Sequence, residues 1–538
     1  NDADNDYGNY CTLNPLSPNL SNKTLSNGNL SIASTNASAP YSVRGTIAAP
    51  NSGRWKMFEF TNKGNYSIAV GIIDVSLSDD GNDVSNTGGS YGYYNNGQKY
   101  VNGTGSSYGD AFNSDGKIIT CLIDYDAATV EFFLDNSSQG TIAINATVNY
   151  VPFWWNATSG GNGIFNFGAT NFAYSNSGYR ALSTANLPTP AIINPAEHFH
   201  SVVVAHDGSS TASTCSFNLE TNAWLAIIKN TTGAVEKWYW INSLDGVNKY
   251  LDQAGSALVT DANVMSVSGT TFTLGSTLGN KSYLVEFHKA GLASATAANT
   301  SGTENTIATS ENATSGFGMA QFASPSSGNF SIGHGFSVAL SYVVTNETSR
   351  ASSWLNWHTS LNGGSPGTTY RLNQNATTLQ TSTANYWGST GMTSTVMGYG
   401  TAVSLAASEN VTVFYWHSVD GYSAFGSYTG NNSADGPMIN MGGSPNSWFT
   451  KRIDSADTWQ LVDVAVPDND FNIVEERLSI NATSIASSTA AMVWDRLSNG
   501  WKVRGNDSGF NASGGTYIYG AWGGRPMTDG STNQGRAR

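Results

Sequence analysis

His198, His200 and His206, with Asp207 beside the last, form a His-x-His…His-Asp cluster; imidazoles and a carboxylate bind zinc when they converge. The cluster lacks a cysteine or a further carboxylate, and residues 201–205 suit a strand, so no metal is expected there. Asp79-Asp80-Gly81-Asn82-Asp83 offers oxygen ligands for calcium. Without the full EF-hand loop and its closing glutamate it reads as a solvated turn. Asp124 and Asp126 would share a face of a straight strand and could pair as the two carboxyls of a glycosidase. That stretch enters a turn instead, where acids are ordinarily just solvated. No nucleophile elbow, zinc-protease helix motif or phosphate loop occurs. These residues predict no catalytic centre, no cofactor and no metal site.

Aromatic rings are the remaining contact chemistry. Tyr91, Tyr93 and Tyr94 sit in a Gly/Asn-rich stretch, and Trp154 and Trp155 stand just before the triplet at Asn156. Exposed in loops, such rings would stack on sugars or proteins at little entropic cost. The alternative is that Trp155 packs under a sheet edge.

Asparagine supplies a different chemistry. Seven Asn-Ala-Ser/Thr triplets begin at Asn36, Asn145, Asn156, Asn312, Asn375, Asn481 and Asn511. Fourteen further glycan-acceptor triplets begin at Asn19, Asn22, Asn29, Asn65, Asn102, Asn136, Asn230, Asn280, Asn299, Asn329, Asn346, Asn410, Asn431 and Asn506. Chance in so Asn/Ser/Thr-rich a chain gives on the order of a dozen. The excess predicts N-linked glycans as covalent modification, and with them an extracellular location. The competing reading is an Asn-rich β-surface with accidental matches.

The elements that must hold these groups follow from composition. Of 538 residues, 12% are charged and 12% aromatic, and 58 are Gly. Gly, Asn, Ser and Thr are poor in helix interiors and good in turns, which predicts an all-β chain. A formal charge of −14, with only 24 Lys and Arg, argues against nucleic acid as a partner. No apolar run approaches a membrane span. Cys121 lies in an apolar run and is expected to be buried; a bridge between Cys11 and Cys215 stays open. The first residue is Asn and no charged-then-apolar leader follows, as expected of a processed or truncated product.

Residues 54–60 (RWKMFEF) and 66–75 (YSIAVGIIDV) read as strands, with Gly71 a bulge candidate. Residues 117–124 and 129–134 flank a turn at 125–128, and 135–137 make the next turn. The block SDGKIITCLIDYDAATVEFFLDNSSQGTI, then YVPFWW and GIFNFGATNFAY, resembles the second half of a SPRY domain. GRWKMFEF, with Trp55 and Glu59, is similar to that family's early strand, and YGYYNNGQKYVNG to its middle segment. The turn reads Asp135-Asn136 where many relatives have Asn-Gly. The resemblance implies a bent, non-enzymatic β-sandwich that binds proteins or glycans.

GNYCTLNPL, LSNGNL, ALSTANLPTPAIINPAEHF, FGSYTGNNSADGP and NASGGTYIYGAW resemble SPRY-containing tail-fibre-like proteins of marine phages. The closing Gly535-Arg536-Ala537-Arg538 is similar to the Arg-rich end of that group, which implies a native C-terminus. After Phe199 the chain repeats at roughly 105 to 120 residues. Residues 224–240, 338–357 and 448–461 each give a strand, a turn and a Trp-bearing strand. Each is followed later by an aromatic strand, at 282–288, 411–417 and 516–522. The expected domains are a SPRY-like sandwich at 1–185 and β-repeats at 186–292, 317–420 and 421–538, with a linker at 293–316.

The resemblance implies a structural or adhesive glycoprotein subunit of a virion appendage, tail fibre or spike, acting in assembly and host attachment at the virion surface. Its expected partners are itself, as a trimer or other homo-oligomer, other virion proteins, and a host-surface glycan or protein. The alternative is a subunit of a cellular extracellular filament or surface layer.

Overall fold

The computed structural model describes residues 8–18, 20–35, 41–77, 79, 88–157, 160–255, 257–293, 298–325, 328–403, 405–467, 469 and 472–528. It is nearly all β, as composition predicts. The residues 54–62 form a nine-residue strand, Arg54–Asn62, at the centre of an eight-stranded sheet. Its neighbours are Ile118–Asp124 and Asn162–Asn166. A six-stranded sheet, with Ile68–Asp74 between Tyr150–Asn156 and Ser90–Tyr94, packs against it. Trp55, Phe58, Phe60, Ile72, Tyr93, Phe132 and Trp154 fill the space between the sheets.

Two local expectations meet the structure here. Asp135 and Asn136, at φ 48° and 67°, close the hairpin from Thr129–Leu134 to Ser137–Ala143. Both central residues are left-handed, the geometry that Asn-Gly supplies elsewhere. Gly71 makes no bulge; it pairs in register with Gly92. A side chain at Gly71 would lie 2.1 Å from the Tyr91 carbonyl and 2.9 Å from the Phe153 ring, so close approach explains the glycine. Register shifts lie instead at Lys56/Phe58 in the strand Arg54–Asn62 and at Glu131/Phe133 in Thr129–Leu134.

The remaining chain contains the same four-stranded order three times: Phe199–Asp207, Asn280–Leu292, Asn222–Asn230, Tyr239–Asn242; then Phe317–Ala323, Asn410–Trp416, Tyr342–Glu347, Leu355–His358; then Ala424–Thr429, Thr516–Trp522, Ser447–Arg452, Trp459–Asp463. The stretch 293–316, expected as a linker, carries the strand Ala308–Asn312, which pairs with Phe317–Ala323. One continuous core joins all three units, from Phe199 and Leu225 through Phe317 and Tyr342 to Phe449 and Ile518. These units are not beads on a string.

At the centre, the closing strand of each unit contributes one ring. His288 and Trp416 lie 5.7 Å apart, His288 and Trp522 5.3 Å, and Trp416 and Trp522 5.8 Å. Contacts around this triad run in a cycle. The first unit meets the third through Trp238 Nε1, donating to the carbonyls of Ser479 and Ala482, and Lys229 Nζ, donating to Thr483 O at 2.9 Å. The third meets the second through Trp459 Nε1 on Asn373 O and Lys451 Nζ on Thr377 O. The second meets the first through Trp354, edge-on to Trp240 at 4.9 Å, and the Ser352 amide on Gly255 O. Such a ring has no free end, and three aromatic-rich interfaces are buried at once.

Candidate functional site

The five aromatic contact candidates are core residues, not loop residues. Tyr91, Tyr93 and Tyr94 lie in the strand Ser90–Tyr94 at 4%, 0% and 6% exposure, and Trp154 and Trp155 in Tyr150–Asn156 at 0% and 6%. Both strands are buried along their whole length, so none of these rings faces a ligand.

The other sequence candidates are also absorbed by the fold. His206 Nδ1 accepts the Gly208 amide and Nε2 donates to the Leu274 carbonyl, and His198 meets Asn312. No group of three or more His, Cys, Asp or Glu converges as a metal site among the described residues. Asp124 pairs with Arg54 at 2.8 Å and accepts the Ala127 amide, while Asp126 is exposed in the turn. Asp79 is buried between the sandwich and the third unit; its backbone pairs with Met438 and its carboxylate accepts from Ser17. Residues 80–83 and 535–538 lie outside the described residues. Cys11, Cys121 and Cys215 are free and buried. Cys11 and Cys215 belong to different cores, so they do not pair. Burial pushes both thiols up to about 11.

The acceptor asparagines divide by exposure. Asn65, Asn102, Asn136, Asn145, Asn280, Asn329, Asn410 and Asn506 are exposed, and Asn22, Asn29, Asn299, Asn312, Asn375, Asn431 and Asn481 are partly so. Asn156, Asn230, Asn346 and Asn511 are at most 2% exposed. Asn230 Nδ2 donates to the carbonyls of Thr232 and Ala234, and Asn511 Nδ2 to those of Ser433 and Gly505. A buried amide nitrogen that is already donating leaves no place for a glycan in the folded chain. Asn19 and Asn36 lie outside the described residues.

A cleft of about 400 Å³ lies where the sandwich meets the third unit. Ala48, Pro50 and Asn149 form one wall, and Phe425, Met441 and Tyr519 the other. The stretch Leu187, Pro188, Thr189 and Pro190, leading from one body to the next, closes one side. Asn149 Nδ2 donates to Asp420 Oδ2 at 3.2 Å across the junction. Asp420 is the single charged residue in the lining. Apolar walls with a few polar groups suit binding of a neutral or cationic molecule. Apart from Pro188 and Pro190 nothing local marks this cleft, because its walls come from residues more than 250 positions apart.

Residues 194–526 match the family described as a domain of unknown function, DUF7483. The chain belongs to this family. The match covers all three units as one, in keeping with their shared core. Residues 55–170 match the SPRY domain, so the first sandwich is a SPRY domain.

Among solved structures, the chain is similar to stonustoxin, at 18% identity over 30% of this chain and 27% of that one, with a TM-score of 0.26. It is similar to the PSpry domain of TRIM65, at 15% identity over 29% of this chain and 89% of that one, with a TM-score of 0.24. The SPRY domain of human HERC1 is similar at 17% identity, over 30% and 99%, with a TM-score of 0.25. The chain thus spans about a quarter of stonustoxin's length. No curated protein matches it.

Proposed function

We propose that the protein is a non-enzymatic structural and adhesive subunit of an extracellular appendage, of tail-fibre or spike type on a virion, serving assembly and host attachment. The observation that carries this reading is the closed cycle of three β-units on the His288, Trp416 and Trp522 rings. It makes a stiff body from one chain, with the SPRY domain clamped to it through Asp79 and Met438. Stiffness with a polar, sparsely charged surface suits a part that projects from a particle.

Attachment is assigned to the cleft beside Asp420, whose lining suits a host-surface glycan or protein segment. Oligomers multiply such a contact by multivalency. Labelled full-length protein is expected to bind host cells, and Ala191→Trp, which fills the cleft from an exposed position, to abolish that binding. Unchanged binding by the variant would remove the cleft from the proposal. Turnover of a glycan panel by the purified protein would overturn the non-enzymatic reading, and a lone monomer at micromolar concentration in mass photometry the oligomeric one.

A further inference from the structure

Lys56 and Glu59 are three residues apart in one strand, a spacing that puts side chains on opposite faces of a regular strand. The bulge at Lys56/Phe58 adds one residue and brings both to the face turned away from the aromatic core. There Lys56 Nζ lies 2.7 Å from Glu59 Oε1, with both side chains at most 4% exposed. Glu59 is fixed in place: Oε2 accepts the Ala173 amide at 2.7 Å and Oε1 the Tyr174 amide at 3.0 Å. The same segment supplies two further acceptors for Lys56 Nζ, the Tyr174 carbonyl at 2.7 Å and Asn176 Oδ1 at 2.8 Å. The Phe172 ring closes the site, with Nζ 3.9 Å from its centroid.

A buried amine and carboxyl are therefore held against a partly exposed primary carboxamide. We propose that Lys56, Glu59 and Asn176 form a self-processing site that joins the Lys56 and Asn176 side chains through an isopeptide bond. Glu59 takes a proton from the Lys56 ammonium, giving a neutral amine and a carboxylic acid. Burial favours this transfer, since desolvation penalises the charged amine and holds Lys56 below its ordinary range. The amine nitrogen attacks Asn176 Cγ, the atom bonded to the Oδ1 that Nζ already touches. Glu59 then passes its proton to Asn176 Nδ2, and the Cγ–Nδ2 bond breaks as the Nζ–Cγ bond forms. Ammonia leaves, and the second proton lost by Nζ restores Glu59 or departs with ammonia as ammonium. No oxidant or cofactor is needed. The remaining Nζ–H stays directed at the Tyr174 carbonyl.

The bond would staple the central strand Arg54–Asn62 to the segment that leads out of the SPRY domain towards the three-unit body. A pull on that segment would then be carried by covalent bonds, whatever the appendage proves to be.

The test is mass spectrometry of denatured full-length protein made in a host without Asn-linked glycosylation. The expected result is an intact mass short by one ammonia and a branched peptide joining Lys56 to Asn176. Asn176→Ala and Glu59→Gln should each restore the unmodified mass and lose the branch. Linear peptides carrying a free Lys56 and an intact Asn176 would overturn the proposal. So would an ammonia deficit without a branch, which is what a succinimide at Asn176 gives and which would persist in Lys56→Arg.

Discussion

Glu286 and Asp463 bring two buried carboxyl groups together inside the interface between the first and third units, each at 1% exposure. Ser447 donates to Glu286 at 2.6 Å, and Ser201 and the Ala465 amide donate to Asp463. Glu286 stands two residues before His288, where the other units have Phe414 and Gly520 two before Trp416 and Trp522. The pair thus breaks the threefold pattern and marks one interface as different.

Burial raises the pKa of Glu286 well above its ordinary range, and Asp463 is raised too, first by burial. The folded chain therefore holds a proton that the unfolded chain releases above about pH 4. Stability from this pair is fully present below that pH and is lost as pH rises through the folded range. Glu286→Gln removes the titrating carboxyl at nearly constant shape, so thermal unfolding across pH 4 to 9 should flatten in the variant. An unchanged slope would contradict the shared proton.

The histidines act on the acid side with the opposite sign. Burial lowers His288 to about 3, and His358 and His334 to about 4. The unfolded chain takes up these protons near pH 6.5 while the folded chain refuses them. Their full contribution is present above pH 6.5 and is lost as pH falls towards those values. His358→Gln should weaken acid unfolding between about pH 6 and 4 relative to the wild type.

Trp416→Ala empties the centre of the ring, at 2% exposure in the wild type. The expected cost is about 3–5 kcal/mol by chemical denaturation, felt across residues from all three units in one transition. Hydrogen exchange that loosens the second unit alone would show that the units are independent.

Glycopeptide mapping should find Asn156, Asn230, Asn346 and Asn511 unoccupied, with any occupancy at exposed sites such as Asn136 and Asn280. Asn511→Ala should destabilise by about 2–3 kcal/mol through two orphaned carbonyls, an effect that loss of a surface glycan site does not give.

The hairpin at residues 118–134 and the three Trp-bearing motifs were legible because each depends on local periodicity and turn chemistry. The central ring was not, since it is made where strand ends more than 100 residues apart meet. Tyr91, Tyr93 and Tyr94 misled for a physical reason: the glycines around them looked like loop signals. Gly71 and Gly92 pair to make room for the Phe153 ring, so these glycines serve packing. The acceptor triplets have a similar second meaning. At Asn145, Asn299, Asn312 and Asn431 the side-chain oxygen accepts the amide of the Ser or Thr two residues on. At Asn375 and Asn481 it accepts the backbone amides of Trp354 and Trp459, in the second and third units, where the first unit uses Gln253 for the Trp238 amide. Turn geometry and internal repetition thus produce Asn-x-Ser/Thr without reference to sugar.

The proposed role is tested most directly by immunogold electron microscopy with antibodies to the purified protein. Gold on projections of virus particles is predicted. Gold confined to cell interiors, or to cellular filaments with bare particles, would contradict it.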